Sequence, residues 1–498
     1  MNNMSASYIL AIDQGTSSTK TIIFDSGAKI IARYSEPLKT YYSEGGFVEQ
    51  NPEEILTNVL TSIEGCLTLF KQNGGDVADI KTCGISNQRE TFVIWDENGK
   101  PLHNAVVWQC KRSVEVCKAL KNEGLEQEIT AKTGLLIDPY FSGTKLIWLY
   151  QNNLAIKKAI DAGKAYFGTI DTWLLFKLTN GKQYLTDYTN ASRTLFFNLH
   201  TLQWDGELLQ KFGLSKLNLP QLKPSSAIYG ETDFSGLLPK PLTITAMIGD
   251  SHAAAFGEGC FSEGKAKATM GTGCSILMNI GGAAKASGNG MVTTVCWSTE
   301  QEVHYAFEGV IVSCGATIEW LKNELGIVSD VSKTAEMANS VEDNNGVYLV
   351  PAFSGLGAPH WDMARKASIS GLTFDCNKNH VVRAGLESIA YQIKDVVIAM
   401  QADSNIALNE LMIHGGMTAN KFLLEFLAGQ LDCSIVTNDI ADISALGTAL
   451  LAGLKASVFT ELDAVESLFG QKQVVEQGKF KIDAQKYYSG WLQAINAK

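Results

Sequence analysis

Apolar and polar positions follow two different periods along this chain. Tyr8–Ile12 is a short apolar run and predicts a buried strand. Lys20–Phe24 and Lys29–Tyr34 predict two more, with Asp25, Ser26 and Gly27 as the turn between them. After Asn51-Pro52-Glu53-Glu54 the period changes. Ile55, Leu56, Val59, Leu60, Ile63, Leu67 and Phe70 recur at helical spacing, with Asn51 placed as N-cap and Pro52 at the first helical position. Ile80–Ile85 and Phe92–Trp95 predict further strands, the second followed by a turn at Glu97-Asn98-Gly99. Strands and helices mixed in this way predict an α/β chain with more than one sheet.

A faint internal repeat adds to this. Tyr8–Lys20 reads as strand, Asp13-Gln14-Gly15-Thr16-Ser17-Ser18, strand; Lys265–Leu277 reads as strand, Met270-Gly271-Thr272-Gly273-Cys274-Ser275, strand. The second copy begins about half-way along. Two similar halves, each offering a Gly-Thr turn, suggest a duplicated fold with a ligand between two lobes. Phe256–Gly264 is the best candidate for the join, which divides the chain into 1–255 and 256–498.

Composition narrows the function classes. The chain has 498 residues, enough for about three domains or two large ones, and 45% of them are hydrophobic. Its net charge of −11 argues against a nucleic-acid partner, which needs clustered Lys and Arg. No run approaches the ~18 apolar residues of a membrane span, and the N-terminal residues lack the pattern of a signal peptide, so a cytoplasmic enzyme is expected. The ten cysteines are scattered, with no CxxC pair, and are expected to be small buried hydrophobes.

Five constellations carry candidate chemistry. In Asp13–Ser18, Gly15 lets the backbone turn without a side chain in the way of a phosphate. Thr16, Ser17 and Ser18 supply hydroxyls, Lys20 adds positive charge, and Asp13 suits a metal through water, since Mg²⁺ keeps several waters. Gly271-Thr272-Gly273 offers a matching cradle. Gly415-Gly416, after the strand Leu411–Ile413, lets an anionic or flat ligand approach the backbone. Asp250, after the apolar run Ile244–Met247, is placed at a strand end to accept a hydroxyl proton. Arg89-Glu90 pairs fixed donors with acceptors suited to adjacent hydroxyls, and Trp108 and Tyr140 offer an apolar wall with a polar handle. Taken singly, each also has a plain reading as a turn, a cap, a surface ion pair or core packing.

Together these residues resemble the FGGY carbohydrate kinases, most closely the members that act on glycerol, over nearly the whole chain. The resemblance rests on DQGTSS at 13–18, SNQRET at 86–91, VVWQCKRS at 106–113, DPYFSGTK at 138–145, DTW at 171–173 and TDYTNASRT at 186–194. It continues with GTGC at 271–274, the run 344–362 and LESIAYQ at 386–392. It implies a two-domain, actin-like ATPase (ribonuclease H-like) fold with the site in the interdomain cleft. It also implies ATP-dependent phosphorylation of a terminal hydroxyl of a small neutral polyol, glycerol giving sn-glycerol 3-phosphate, with ATP and Mg²⁺ bound and ADP released. A homodimer or homotetramer is compatible with it. By position, Asp250 is the general base. Arg89, Glu90 and Tyr140 bind the polyol and Trp108 walls it. Thr16, Ser17, Ser18 and Thr272 meet the phosphates, and Gly315, Glu319, Gly416 and Asn420 line the nucleotide site.

Some positions depart from the family pattern. Ser251 and His252 follow Asp250 where the family's glycerol-specific members carry Gln-Gln, Ser275 stands in place of Phe, and His414 in place of Asp. The two serines remove bulk from one presumed pocket, so a four- or five-carbon polyol or ketose is the alternative substrate. Ser225–Pro241 lacks both regulatory loops found in some members, the sugar-bisphosphate loop and the phosphorylatable histidine. A non-catalytic or ATPase-only actin-like protein is the competing class, but it has no need for the set Arg89, Glu90, Trp108, Tyr140 and Asp250.

Overall fold

The computed structural model describes residues 7–438, 440, 442–469 and 472–497. Six strands make the first sheet: β1 (Tyr8–Gln14), β2 (Ser18–Asp25), β3 (Ile30–Pro37), β4 (Ile80–Asn87), β5 (Ser226–Thr232) and β6 (Leu242–Gly249), in the order β5-β6-β4-β1-β2-β3. Seven make the second: β7 (Ala266–Met270), β8 (Cys274–Gly281), β9 (Val292–Ser298), β10 (Val303–Ile311), β11 (Glu410–His414), β12 (Ser434–Thr437) and β13 (Gln473–Val475), in the order β9-β10-β8-β7-β11-β12-β13.

The repeat seen in the sequence is a repeat of topology. β1 and β2 form a hairpin, and β4 then adds parallel to β1. β7 and β8 form a hairpin, and β11 then adds parallel to β7. Both hairpins turn in three residues. The Gly15 N–H donates to Ser18 O at 3.0 Å, and the Gly271 N–H to Gly273 O at 2.9 Å.

Both faces of β1 are buried, so it is apolar from Tyr8 to Ile12 rather than alternating. Because side chains alternate between faces, Leu10 and Ile12 of β1 join one core with α1 (Pro52–Gln72), while Ile9 and Ala11 join another. Local chemistry starts α1 as its sequence suggests. Pro52 opens it and the Asn51 side chain accepts the Glu53 N–H at 3.0 Å. Ile55, Val59, Ile63, Leu67 and Phe70 are buried, and Leu56 and Leu60 are partly so.

The other face is covered by two helices from opposite halves. α2 (Asp250–Gly257) leaves the end of β6, and the 255/256 division falls in its last turn. The second half contributes α3 (Gly315–Asn323), α4 (Lys378–Ser404), α5 (Lys421–Gln430) and α6 (Ile443–Lys455). α6 lies on β1, β4 and β6 and crosses α2 closely. The crossing needs glycine: a Cβ on Gly447 would meet Ala253 O at 1.9 Å, and one on Gly257 would meet Ile443 O at 2.6 Å. A smaller five-stranded sheet in the first half, which includes Phe92–Trp95 and Ala105–Val106, leads into Trp108. All ten cysteines are free; nine are buried and Cys376 is partly exposed. No helix among the described residues is long and apolar enough to cross a membrane.

Candidate active site

β1, β4 and β6 run parallel and end together, with Gln14 and Gly249 both in register with Asn87. Ligands of open α/β sheets bind outside such carboxyl ends. Here each end delivers a candidate: Thr16 after β1, Arg89 and Glu90 after β4, Asp250 after β6. Asp250 is not a loop residue at the strand end but the first residue of α2. Glu90 has φ 59°, a left-handed backbone that a non-glycine residue rarely adopts. Its carbonyl is held there by the Ser142 hydroxyl at 2.7 Å.

Trp108 and Tyr140 come together beside the first turn. Trp108 Nε1 donates to Thr16 Oγ1 at 2.9 Å, and Trp108 meets Tyr140 edge-on with centroids 5.7 Å apart. Behind them the fully buried Lys145 donates to the carbonyls of Pro139 at 2.8 Å and Tyr140 at 2.5 Å, fixing the backbone that carries Tyr140. Burial pulls the Lys145 pKa down to about 8.

A buried charge network lies under the cleft. Arg89 Nε is 3.4 Å from Asp250 Oδ1, and its Nη2 is 2.8 Å from Glu308 Oε1. Arg193 Nε donates to Glu90 Oε1 at 2.6 Å, and its Nη1 lies 2.8 Å from Glu308 Oε2. That last contact is an ion pair without hydrogen-bond alignment. Two arginines and two glutamates thus offset each other, and Glu308 comes from β10 in the second sheet. Burial opposes the charge on Glu308, but Arg193 and Arg89 hold it well below the usual carboxylate range. Burial likewise opposes the charge on Arg89, yet Glu308, Tyr140, Glu90 and Asp250 hold it well above its ordinary value. For Glu90, burial wins over Arg193 and the pKa rises. Asp250 is also raised, by the protein enclosing it and by the charge of Asp13, against the pull of Arg89. A raised carboxylate next to an open cleft is suited to take a proton.

Ser251 and Ser275 come together, and a polar chain spans the space between them. Lys267 Nζ donates to Ser251 Oγ at 2.7 Å, the two serine hydroxyls are 3.1 Å apart, and Ser275 Oγ donates to Glu308 Oε1 at 2.9 Å. His252 is fully buried against Thr294 at 3.3 Å, and burial keeps it neutral.

The second half assembles its own loops. Gly271 and Gly415 follow the parallel neighbours β7 and β11, so closely that a Cβ on Gly415 would meet Met270 O at 2.3 Å. The Gly315 N–H at the start of α3 donates to Gly271 O at 2.9 Å, and the Ala316 N–H to Thr272 O at 3.0 Å. Thr272, Glu319 and Gly416 are exposed, and the Cα of Gly416 faces open space. Gly415–Gly416 leads first into a short 3₁₀ turn, Gly416–Ala419, and only then into α5. Asn420 caps α5 by accepting the Leu423 N–H at 3.0 Å, and its amide donates to Thr334 at 2.9 Å. His414 ends β11, half-buried, with its pKa lowered by burial.

Around the first turn, Ser17 is exposed and Ser18 partly so. Lys20 does not reach toward the turn as a free cation; its Nζ is paired with Asp442 Oδ1 at 2.9 Å, and Arg33 Nε lies 2.7 Å from Asp442 Oδ2. Asp13 is buried, accepts the Ser86 hydroxyl at 2.9 Å, and is raised chiefly by burial. Two neighbouring carboxylates whose ionised forms are both disfavoured, Asp13 and Asp250, fit a divalent cation that keeps several waters. No cluster of three His, Cys, Asp or Glu side chains suited to a metal exists among the described residues.

Three contributors are absent from the sequence reading: Arg193, Lys267 and Glu308. Arg193 lies inside the TDYTNASRT motif but carried no role. Lys267 and Glu308 each sit in an apolar strand, and a charge in a buried strand was the available signal.

The chain resembles known proteins along nearly its whole length. The model of the FGGY family of carbohydrate kinases, N-terminal domain, matches residues 8–257, and its C-terminal counterpart matches 266–456. A glycerol kinase of Thermoanaerobacter sp. (strain X514) is 44% identical over 491 residues, covering 98% of each chain. A glycerol kinase of Pseudomonas entomophila (strain L48) is 44% identical over 497 residues, covering 99% of this chain and 98% of its own. The crystal structure of Plasmodium falciparum glycerol kinase with ADP superposes with a TM-score of 0.92 at 36% identity, covering 98% of both chains.

Proposed function

The chain belongs to the FGGY family of carbohydrate kinases, with that family's two-domain actin-like ATPase fold, and on that premise we propose that it phosphorylates glycerol. The terminal hydroxyl of glycerol attacks the γ-phosphorus of ATP. The O–P bond forms, the bond to the ADP oxygen breaks, and the hydroxyl proton goes to Asp250, giving sn-glycerol 3-phosphate and ADP. Phosphoryl transfer asks mainly for positioning and charge stabilisation. Arg89 and Glu90 orient adjacent hydroxyls, Trp108 and Tyr140 exclude water from one side, and the Thr16 and Thr272 turns face the phosphates. Asp13 would hold Mg²⁺ through water, and the ion supplies charge neutralisation on the phosphates when bound. Gly315, Glu319, Gly416 and Asn420 line the nucleotide side, with Ser17 and Ser18 opposite. The Lys20–Asp442 pair keeps Lys20 from serving as a free cation unless it opens.

The observation that carries this reading is the meeting of Asp250, Arg89 and Glu90 at the carboxyl ends of β4 and β6, linked through Glu308 to the second sheet. The same reading divides the chain into a polyol-binding half, 1–255, and a nucleotide-binding half, 256–498. One observation favours a second substrate class: hydroxyls, not carbon, line the floor at Ser251 and Ser275. The experiment is a panel of glycerol, erythritol, threitol, xylitol and ketoses with ATP. The reading expects glycerol to give the highest kcat/KM; a larger polyol or ketose exceeding it transfers the assignment to that substrate, and turnover of none of them refutes it.

A further inference from the structure

At the far end of α2 from Asp250 lies a second feature that polyol phosphorylation does not use. Glu258, the residue that caps α2, is only 4% exposed, and neither of its carboxyl oxygens has a hydrogen-bond partner among the described residues. A buried carboxylate left unpaired is costly, so it requires a proton or a cation. It lines a cavity of about 160 Å³ with Lys265, Glu410, Glu466, Phe469 and Lys472. That is on the order of the space that accepts a benzene-sized molecule.

The lining specifies the ligand. Lys472 and Glu410 pair with each other at 2.6 Å, which leaves Glu258 and Glu466 against Lys265, an excess of one negative charge. Ala266, Met412 and Phe469 supply an apolar wall beside it. The cavity sits at the start of β7 and β11, while the glycine turns that face the nucleotide follow the ends of those strands. Five residues of strand separate Glu410 from Gly415, roughly 16 Å.

We propose that this cavity binds a small primary ammonium compound, its –NH₃⁺ donating to Glu258 and its alkyl part lying against Met412 and Phe469. The site is separate from the polyol cleft. Its occupancy depends on pH because burial raises the Glu258 pKa to about 7, opposed by the charge of Lys267 on β7. Lys265 before β7, Glu410 on β11, and Glu466 and Lys472 are the other charged groups around the cavity. The alkylammonium stays charged below pH 9, so binding follows ionisation of Glu258. The ionised fraction of a group at about 7 rises about tenfold from pH 6 to pH 8.

The test is calorimetric titration of the full chain with n-propylammonium chloride at pH 6 and pH 8, with propan-1-ol as the neutral isostere at matched ionic strength. The proposal expects saturable binding, about tenfold tighter at pH 8, undisturbed by saturating ATP and at least tenfold weaker in Glu258→Gln. Met412→Trp, which fills the cavity and leaves the carboxylate in place, is expected to abolish binding and decides the matter if Glu258→Gln does not fold. No binding of propylammonium, equal binding of propanol, displacement by ATP, or binding retained in a folded Glu258→Gln or Met412→Trp variant overturns it. The readout needs no turnover, so it stands or falls apart from the kinase assignment.

Discussion

Replacing Glu308 by Gln tests the charge network under the cleft. The change keeps shape and volume and removes one negative charge from a fully enclosed site. In the parent, Glu90 and Glu308 offset Arg89 and Arg193; in the variant one buried positive charge is left over. Breaking a buried pair by removing one partner costs about 3–5 kcal/mol. At about 2–4 °C per kcal/mol for units of this size, Tm should fall by about 6–20 °C. The change also reaches the chemistry. Arg89 Nη2 loses its 2.8 Å partner, and Asp250, already 3.4 Å from Nε, becomes its nearest open carboxylate. A closer guanidinium lowers the Asp250 pKa and weakens it as a base. Thermal unfolding and steady-state kinetics across pH read both effects. The expected result is a lower Tm, at least about tenfold lower kcat, and an acid limb moved to lower pH. Adding Arg193→Met restores the charge balance and should recover about half of the lost stability or more. A single Glu308→Gln variant within about 1 kcal/mol of the parent, with unchanged kcat, would show that Glu308 carries no charge in the fold, and the reasoning would fail.

Asp250→Asn should leave ATP binding near normal, measured by titration, and cut kcat by about 10²–10⁴. In the parent, Asp250 must be ionised to act, and its pKa is raised. kcat/KM should therefore fall as pH drops through a value raised above that of an ordinary aspartate, with no such limb in the residual activity of the Asn variant. Gly447→Ala places a Cβ 1.9 Å from Ala253 O in the α2–α6 crossing. Tm should report a loss of about 1–3 kcal/mol despite the better helix propensity of Ala; a stabilised variant would refute the close packing. Fructose 1,6-bisphosphate should not inhibit, because Ser225–Pro241 lacks the sugar-bisphosphate loop, and inhibition at substrate-like concentrations would reverse that expectation.

Local chemistry was legible in the sequence. The α1 start needed only Asn51 and Pro52, whose effects act within three residues. The hairpins were marked by their glycines and their apolar flanks. Long-range chemistry was not legible. Lys20 looks like a phosphate ligand in DQGTSSTK, but its partner Asp442 lies 422 positions away, and only the packing of α6 against the first sheet brings it near. Arg193 and Glu90 are 103 positions apart, and Glu308 belongs to the other sheet. Ser251 and Ser275 marked a change in the cleft, but sequence read them as lost bulk. The structure adds Lys267 and Glu308 to them, which turns a gap into a hydroxyl-lined floor.

The position of α6 matters before the protein is ever active. Ile9, Ala11, Ile22, Phe24, Ala246 and Ile248 share a core with α6. When a ribosome has made everything up to the end of α2, this face of the first sheet has no α6 to cover it. The covering helix emerges roughly 200 residues later, on the order of 10–40 s at about 5–20 residues per second. For that interval the nascent chain exposes a wide apolar surface, so chain release short of residue 443 leaves a sticky fragment, not a smaller working domain.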